Sequence, residues 1–158
     1  MARYVVPTTT IAGPSAIQMD YIVGDRTSVV TATSAGITFN SGPLSDVLEE
    51  GANTWVNTVN PISGLQVMTF AFDDTVTLQY FTWEQSTTAA FGVWDVAVLR
   101  SGVWQDLAST GTLGGATLVQ IDIDEALQST VDGIRFTGSS GLMSNGPYII
   151  EARFYCVI

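Results

Sequence analysis

The sequence predicts an all-β protein built as an antiparallel two-sheet sandwich, and three observations predict it. Short runs of β-branched and aromatic residues recur along the 158-residue chain, broken by Gly, Ser, Thr, Asn and Asp. Charged residues make up only 13% of the chain, about half of the usual quarter. The solvent face must therefore be built from neutral polar residues, which suits a sheet. Helical spacing appears in only one or two places, each a turn or two long. A chain of this length buries roughly 70% of its unfolded surface without staples. The expected organisation is a single sandwich domain over residues 16–158, preceded by an N-terminal strand or arm over residues 1–15.

Taken in order, residues 1–6 form a first strand or arm, ended by Pro7 and the run Thr8-Thr9-Thr10, with a turn at Gly13-Pro14-Ser15. From Ile17 the alternation is clear: Ile17, Met19, Tyr21 and Val23 lie on one face, Gln18 and Asp20 on the other. A turn at Gly24-Asp25-Arg26 leads to two short strands, residues 28–33 and 36–40, paired around Ser34-Ala35-Gly36. Leu44, Val47 and Leu48 stand at i, i+3, i+4 before Gly51, which marks a short helical turn. A hairpin is expected next, with arms 65–72 and 75–83 and the turn at Asp73-Asp74. On its second arm Val76, Leu78 and Tyr80 oppose Thr75, Thr77 and Gln79.

The clearest hairpin follows at residues 91–107, turning at Ser101-Gly102. Its register has two solutions: a three-residue turn places Trp104 across from Val98, and a two-residue turn places it across from Leu99. After a loop at 108–116 come a strand at 117–123, a helical turn at 124–129 capped by Asp124, and a strand at 131–136. The glycine-rich loop 137–147 feeds the last strand, 148–158, in which Tyr148, Ile150, Ala152, Phe154, Cys156 and Ile158 form an apolar stripe opposite Glu151 and Arg153. Extended, it spans roughly 36 Å, the height of the molecule. Eight to ten strands spaced by turn signals, with one or two short helical turns, is the pattern of a jelly-roll-like sandwich.

Charge narrows the partners. All five cations are arginines (Arg3, Arg26, Arg100, Arg135, Arg153), with no Lys and no His. Fifteen acidic residues leave a net charge of −10 and an isoelectric point near 4.1. Nucleic acid and anionic membrane are discarded as direct partners, because both are recognised chiefly through cationic contacts. Tyr4-Val5-Val6 before Pro7 is too short for the apolar region of a signal peptide, and the uncharged residues 27–45 are too rich in Ser, Thr, Gly and Asn to span a membrane.

Chemistry is narrowed as well. Without His there is no Ser-His-Asp or Cys-His nucleophile, and without Lys no Schiff base. Carboxylate chemistry survives, with Glu84 and Asp95 as a candidate pair, although solvated strand charges explain them equally. Asp122, Asp124 and Glu125 offer oxygen ligands for a hard cation, but helix capping by Asp124 is the simpler reading. Asp73-Asp74 is accounted for by a turn. The expectation is no catalytic residue, no cofactor and no metal. Cys156 stands alone, so no intrachain disulfide forms, and its place in an apolar stripe reads as a buried small hydrophobe. The tryptophans Trp55, Trp83, Trp94 and Trp104 read first as core or subunit contact, second as a sugar-stacking platform.

The run Val93-Trp94-Asp95-Val96-Ala97-Val98-Leu99, then Arg100-Ser101-Gly102-Val103-Trp104-Gln105-Asp106-Leu107, resembles a segment of the galactose-binding-like jelly roll, the superfamily of discoidin-type domains and many carbohydrate-binding modules. The likeness continues through the turn at 124–129 and Val131-Asp132-Gly133-Ile134-Arg135-Phe136, covering the C-terminal half. It implies glycan binding at sandwich-end loops, residues 84–90 and 137–147, with Trp83, Glu84 and Asn145 as ligand-loop candidates. In composition alone the chain looks like small bacteriophage virion proteins, especially head decoration or cement proteins. The primary expectation is a non-enzymatic virion accessory, assembled in the host cytoplasm. It would pack as a homo-oligomer on other virion proteins such as the major capsid protein, with Arg3, Tyr4, Val5, Val6 and Pro7 as the assembly contact. The alternative is a carbohydrate-binding module or a phage tail receptor-binding domain.

Overall fold

The structure, a computed structural model, describes residues 23–36, 39, 42–49, 67–86, 92–113, 118–140 and 148–157. Among them are nine strands: β1 (Val23–Asp25), β2 (Val30–Ala35), β3 (Val67–Val76), β4 (Leu78–Ser86), β5 (Gly92–Arg100), β6 (Val103–Leu113), β7 (Val119–Asp122), β8 (Val131–Ser140) and β9 (Tyr148–Val157). They form an antiparallel four-stranded sheet ordered β1-β9-β4-β7 and an antiparallel five-stranded sheet ordered β2-β3-β8-β5-β6. This is the sandwich expected from the turn spacing. Three 3-10 turns, Thr27–Val29, Leu44–Leu48 and Glu125–Leu127, interrupt the strands.

The helical signal at Leu44, Val47 and Leu48 is real but short. Leu44 and Val47 are buried in the core and Leu48 packs against it. Asp124 caps the third turn as expected, its Oδ1 accepting from the Ala126 amide at 3.0 Å.

The core is aromatic and lies between the sheets. Phe70 of the five-stranded sheet meets Phe136 of its own sheet edge to face at 5.6 Å, and Phe154 and Trp83 of the other sheet at 5.2 and 6.4 Å. Trp83 in turn stacks on Phe136 at 4.5 Å and 20°. Such pairs add about 0.5–1.5 kcal/mol each beyond the burial of their area.

The hairpin at 91–107 forms as β5 and β6. Ser101 and Gly102 have φ of 49° and 78°, the two left-handed residues that a two-residue primed turn requires. The shorter register is the one adopted, with Leu99 opposite Trp104. Arg100 ties this end together by donating to the carbonyls of Ala126 and Ser129, both at 2.8 Å.

Five expectations are corrected. The proposed hairpin at 65–83 is an arch instead: β3 pairs with β2 and β8, whereas β4 pairs with β9 and β7. Asp73-Asp74 lies in an irregularity of β3, between the paired positions Ala71 and Val76. The chain changes sheets at Thr77, whose carbonyl accepts from the Val157 amide at 2.9 Å. Two apolar-alternating arms read the same whether they pair edge to edge or face each other across a core, which is why the sequence pattern misled.

The second correction is the phase of β4. An extra residue at Gln79, between the pairs Leu78/Cys156 and Tyr80/Tyr155, turns Phe81 and Trp83 inward and Tyr80 outward. Likewise Ile150 is the extra residue between Glu84/Glu151 and Gln85/Ile149, so Ile149 rather than Ile150 is buried. Finally, Ser34 and Ala35 do not turn but continue β2, paired with Met68 and Val67 of β3, residues 37, 38 and 40 lying outside the described residues. The turn placed at Gly24-Asp25-Arg26 begins later, because Gly24 and Asp25 pair with Cys156 and Tyr155.

Two measurements test this packing. A Cβ at Gly133 would lie 3.0 Å from the Phe70 carbonyl oxygen and 3.5 Å from Ala71 Cα, so Gly133→Ala forces β3 away from β8. A loss of about 1–3 kcal/mol in urea unfolding is expected. Burial pushes the Cys156 thiol up from 9.0 to about 11, so the folded state favours the protonated form. That contribution is complete below pH 9 and is lost as pH rises through 11, amounting to about 2–3 kcal/mol. The alkaline fall in stability should be shallower by this amount in Cys156→Ala, and native thiol should resist alkylation until the chain unfolds.

Candidate functional site

The sequence-predicted residues fall in different places. Trp83 is fully buried, packed on Phe136, Phe70 and Trp94, so it floors the core and offers no face to a ligand. Glu84, the next residue, points the other way, half-buried on the outer face of the four-stranded sheet opposite Glu151. Asn145 and the arm Arg3, Tyr4, Val5, Val6 and Pro7 lie outside the described residues.

Glu84 and Asp95 do not form a pair. Asp95 is exposed between inward-facing Trp94 and Val96 on the five-stranded sheet, so the two carboxylates look away from each other across the sandwich. A glycosidic bond cannot lie between them. Among the described residues no group of three or more His, Cys, Asp or Glu is placed to hold a metal ion. Asp122 instead accepts from Gln120 Nε2 at 2.7 Å.

The topology gathers strand ends from both sheets. Strands β4, β6 and β8 end, and β5, β7 and β9 begin, at one end of the sandwich. Beneath this end Gln85, itself 2% exposed, accepts through one carbonyl oxygen from both Trp94 Nε1 at 3.0 Å and Trp83 Nε1 at 3.3 Å. Two indole N–H groups from opposite sheets thus converge on one buried amide.

A polar and aromatic surface missed at the level of sequence covers the outer face of the four-stranded sheet. Register places Asp25, Tyr155, Tyr80 and Asp122 in one row across β1, β9, β4 and β7. Arg153, Thr82 and Gln120 form the next row, and Glu151 and Glu84 a third. The Tyr80 and Tyr155 rings stack at 4.4 Å and 18°, a separation close to the spacing of neighbouring strands.

Within this surface Arg153 Nε donates to Glu151 at 3.0 Å, and its Nη1 lies 3.8 Å from Asp25. Burial raises the Tyr155 phenol above its usual value, with Asp25 and Tyr80 adding to the effect. Thr82 is 7% exposed, and its Oγ1, like Arg153 Nη2, is buried without a hydrogen-bond partner. The signal that could have found this face was the outward set Glu151, Arg153 and Tyr155 of the last strand. Without knowledge of the bulge at Gln79, Tyr80 could not be placed beside it.

On the opposite face Trp104 is covered by the Arg135 guanidinium, 4.4 Å from its ring centroid. Of the four tryptophans, Trp83 and Trp94 are therefore core, Trp104 is capped, and Trp55 lies outside the described residues.

The two-sheet jelly-roll architecture is similar to that of solved carbohydrate-binding modules. The chain is similar to the family 32 carbohydrate-binding module of Clostridium perfringens NanJ, solved with galactose. The match has a TM-score of 0.67 and 16% identity, over 85% of this chain and 99% of that one. It is also similar to chitosan-binding module 1 of a chitosanase/glucanase from Paenibacillus sp. IK-5 (TM-score 0.63, 17% identity, 80% and 94% covered). Allantoicase of Saccharomyces cerevisiae matches with a TM-score of 0.64 at 10% identity, over 85% of this chain and 43% of that one. No family model matches the sequence, and no curated relative is significantly similar to it. At these identities the likeness is one of fold, and this fold occurs both in binding modules and within an enzyme.

The double acceptor at Gln85 yields a prediction. Gln85→Leu removes the acceptor of two buried indole N–H groups, and a loss of about 2–4 kcal/mol is expected in chemical denaturation. Trp fluorescence of the native variant should shift as the two indoles lose their common partner.

Proposed function

We propose that the chain is a carbohydrate-binding module without catalytic activity of its own. The observation that carries this reading is that the match covers nearly the whole of two solved carbohydrate-binding modules, 99% of one and 94% of the other. One of these was solved with galactose and the other is described as chitosan-binding. The outward divergence of Glu84 and Asp95 supports the non-catalytic half, because the carboxylate pair considered for glycosidase chemistry does not converge. The virion-accessory expectation drew on composition, and neither the fold nor the comparisons add an observation to it.

The test is a glycan array probed with the labelled full chain. Saturable, competable binding to at least one class of sugar is expected, with no release of reducing ends from the bound glycan. An array without specific signal overturns the binding reading, and hydrolysis of a bound glycan overturns the non-catalytic one.

A further inference from the structure

We propose that the outer face of the four-stranded sheet is a binding site for a cationic amino-sugar oligosaccharide, seated across Tyr155 and Tyr80 between Asp25 and Asp122. The inference deepens the glycan-binding reading and rests on it, but places the ligand on a sheet face instead of at the sandwich-end loops.

Geometry supplies the first argument. The two rings stack along the inter-strand direction and both are half-buried, with Tyr155 flanked in its row by Asp25 of β1 and Tyr80 by Asp122 of β7. The solvent-facing part of such an aromatic pair suits the apolar face of a sugar ring. From Asp25 to Asp122 the row crosses three strand spacings, about 14 Å, the reach of a short oligosaccharide. Both flanking strands are short, three and four residues, and Asp25, Gln120 and Asp122 are exposed.

Charge decides the class of sugar. Among the described residues the face carries four carboxylates, Asp25, Asp122, Glu84 and Glu151, against one guanidinium, Arg153, in a chain of net charge −10 with no Lys. An anionic glycan is repelled, and a neutral one gains nothing from the excess charge. An ammonium-bearing sugar gains charge-assisted hydrogen bonds to Asp25 and Asp122.

A second, independent observation points to a ligand. Thr82, more than nine-tenths buried, sits in the row beside the tyrosines with an unpartnered hydroxyl, directly across from Arg153 with its own unpartnered Nη2. Buried polar atoms are almost always satisfied. Sugar hydroxyls both donate and accept, so they match both groups.

The experiment is calorimetric titration of the full chain with a fully deacetylated glucosamine hexamer, its N-acetylated counterpart and a neutral cello-oligosaccharide. The chain, Asp122→Asn, Tyr80→Phe, Tyr80→Ala and the charge-matched control Asp106→Asn on the opposite sheet would be compared, each checked for native circular dichroism. The deacetylated oligomer should bind best and weaken with salt. Asp122→Asn should lower its affinity about threefold to tenfold, Tyr80→Ala should weaken it further, and Asp106→Asn should match the parent chain. Equal effects of Asp122→Asn and Asp106→Asn, or equal binding of the acetylated oligomer, overturn the proposal. If these variants are silent while the array shows a bound sugar, the sheet-face site fails and the module reading stands. If no sugar binds in either experiment, both fall.

Discussion

At one end of the sandwich an amide oxygen links the two sheets. Gln85 Oε1 accepts from the indole of Trp83 in one sheet and of Trp94 in the other, and the two rings meet at 6.3 Å. A buried polar group is tolerated only when it is paired, so this geometry restricts how far the sheets can slide or rotate. The stacking of Trp83 on Phe136, and through Phe70 the contact with Phe154, depends on the same placement. Apolar packing alone accepts many arrangements of similar volume. A shared acceptor accepts far fewer, which is the specificity that a jelly roll with a largely aromatic core requires.

From that fixed end, single extra residues determine what each face shows. The bulge at Gln79 exchanges the faces of β4 between Leu78 and Phe81, and the bulge at Ile150 does the same for β9 between Ile149 and Ala152. Between these two irregularities β4 and β9 run in phase, with Phe81 and Trp83 opposite Phe154 and Ala152 inside, and Tyr80 and Glu84 opposite Tyr155 and Glu151 outside. The tyrosine row thus follows from two insertions, not from an unbroken alternation.

This explains what the sequence could reveal. The hairpin at Ser101-Gly102, the cap at Asp124, the short turn at Leu44 and the buried Cys156 are all set by residues within a few positions, and all were legible. The arch at Thr77 was not, because Val67–Val76 and Leu78–Ser86 have the same alternation whether they pair or oppose. Trp83 looked like a loop-side candidate because the second arm was read one residue out of phase. Its neighbour Glu84 was read as the start of a polar loop, and its opposite number Glu151 comes from a strand 67 positions later in the chain. Long-range register, not local chemistry, assembles the candidate surface.

The scarcity of cations shapes that surface in turn. Arg100 is committed to the carbonyls of Ala126 and Ser129, Arg135 to the ring of Trp104, and Arg153 to Glu151 and Asp25. Each holds structure together, and none is presented as a free positive patch. The carboxylates outnumber them on the outer face of the four-stranded sheet, where β4 and β9 are hydrogen-bonded on both flanks. A ligand meeting side chains on these central strands finds them already ordered, so little conformational entropy is lost on binding. A stacked tyrosine pair on hydrogen-bonded central strands favours one ligand shape, and the carboxylates around it favour one sign of charge.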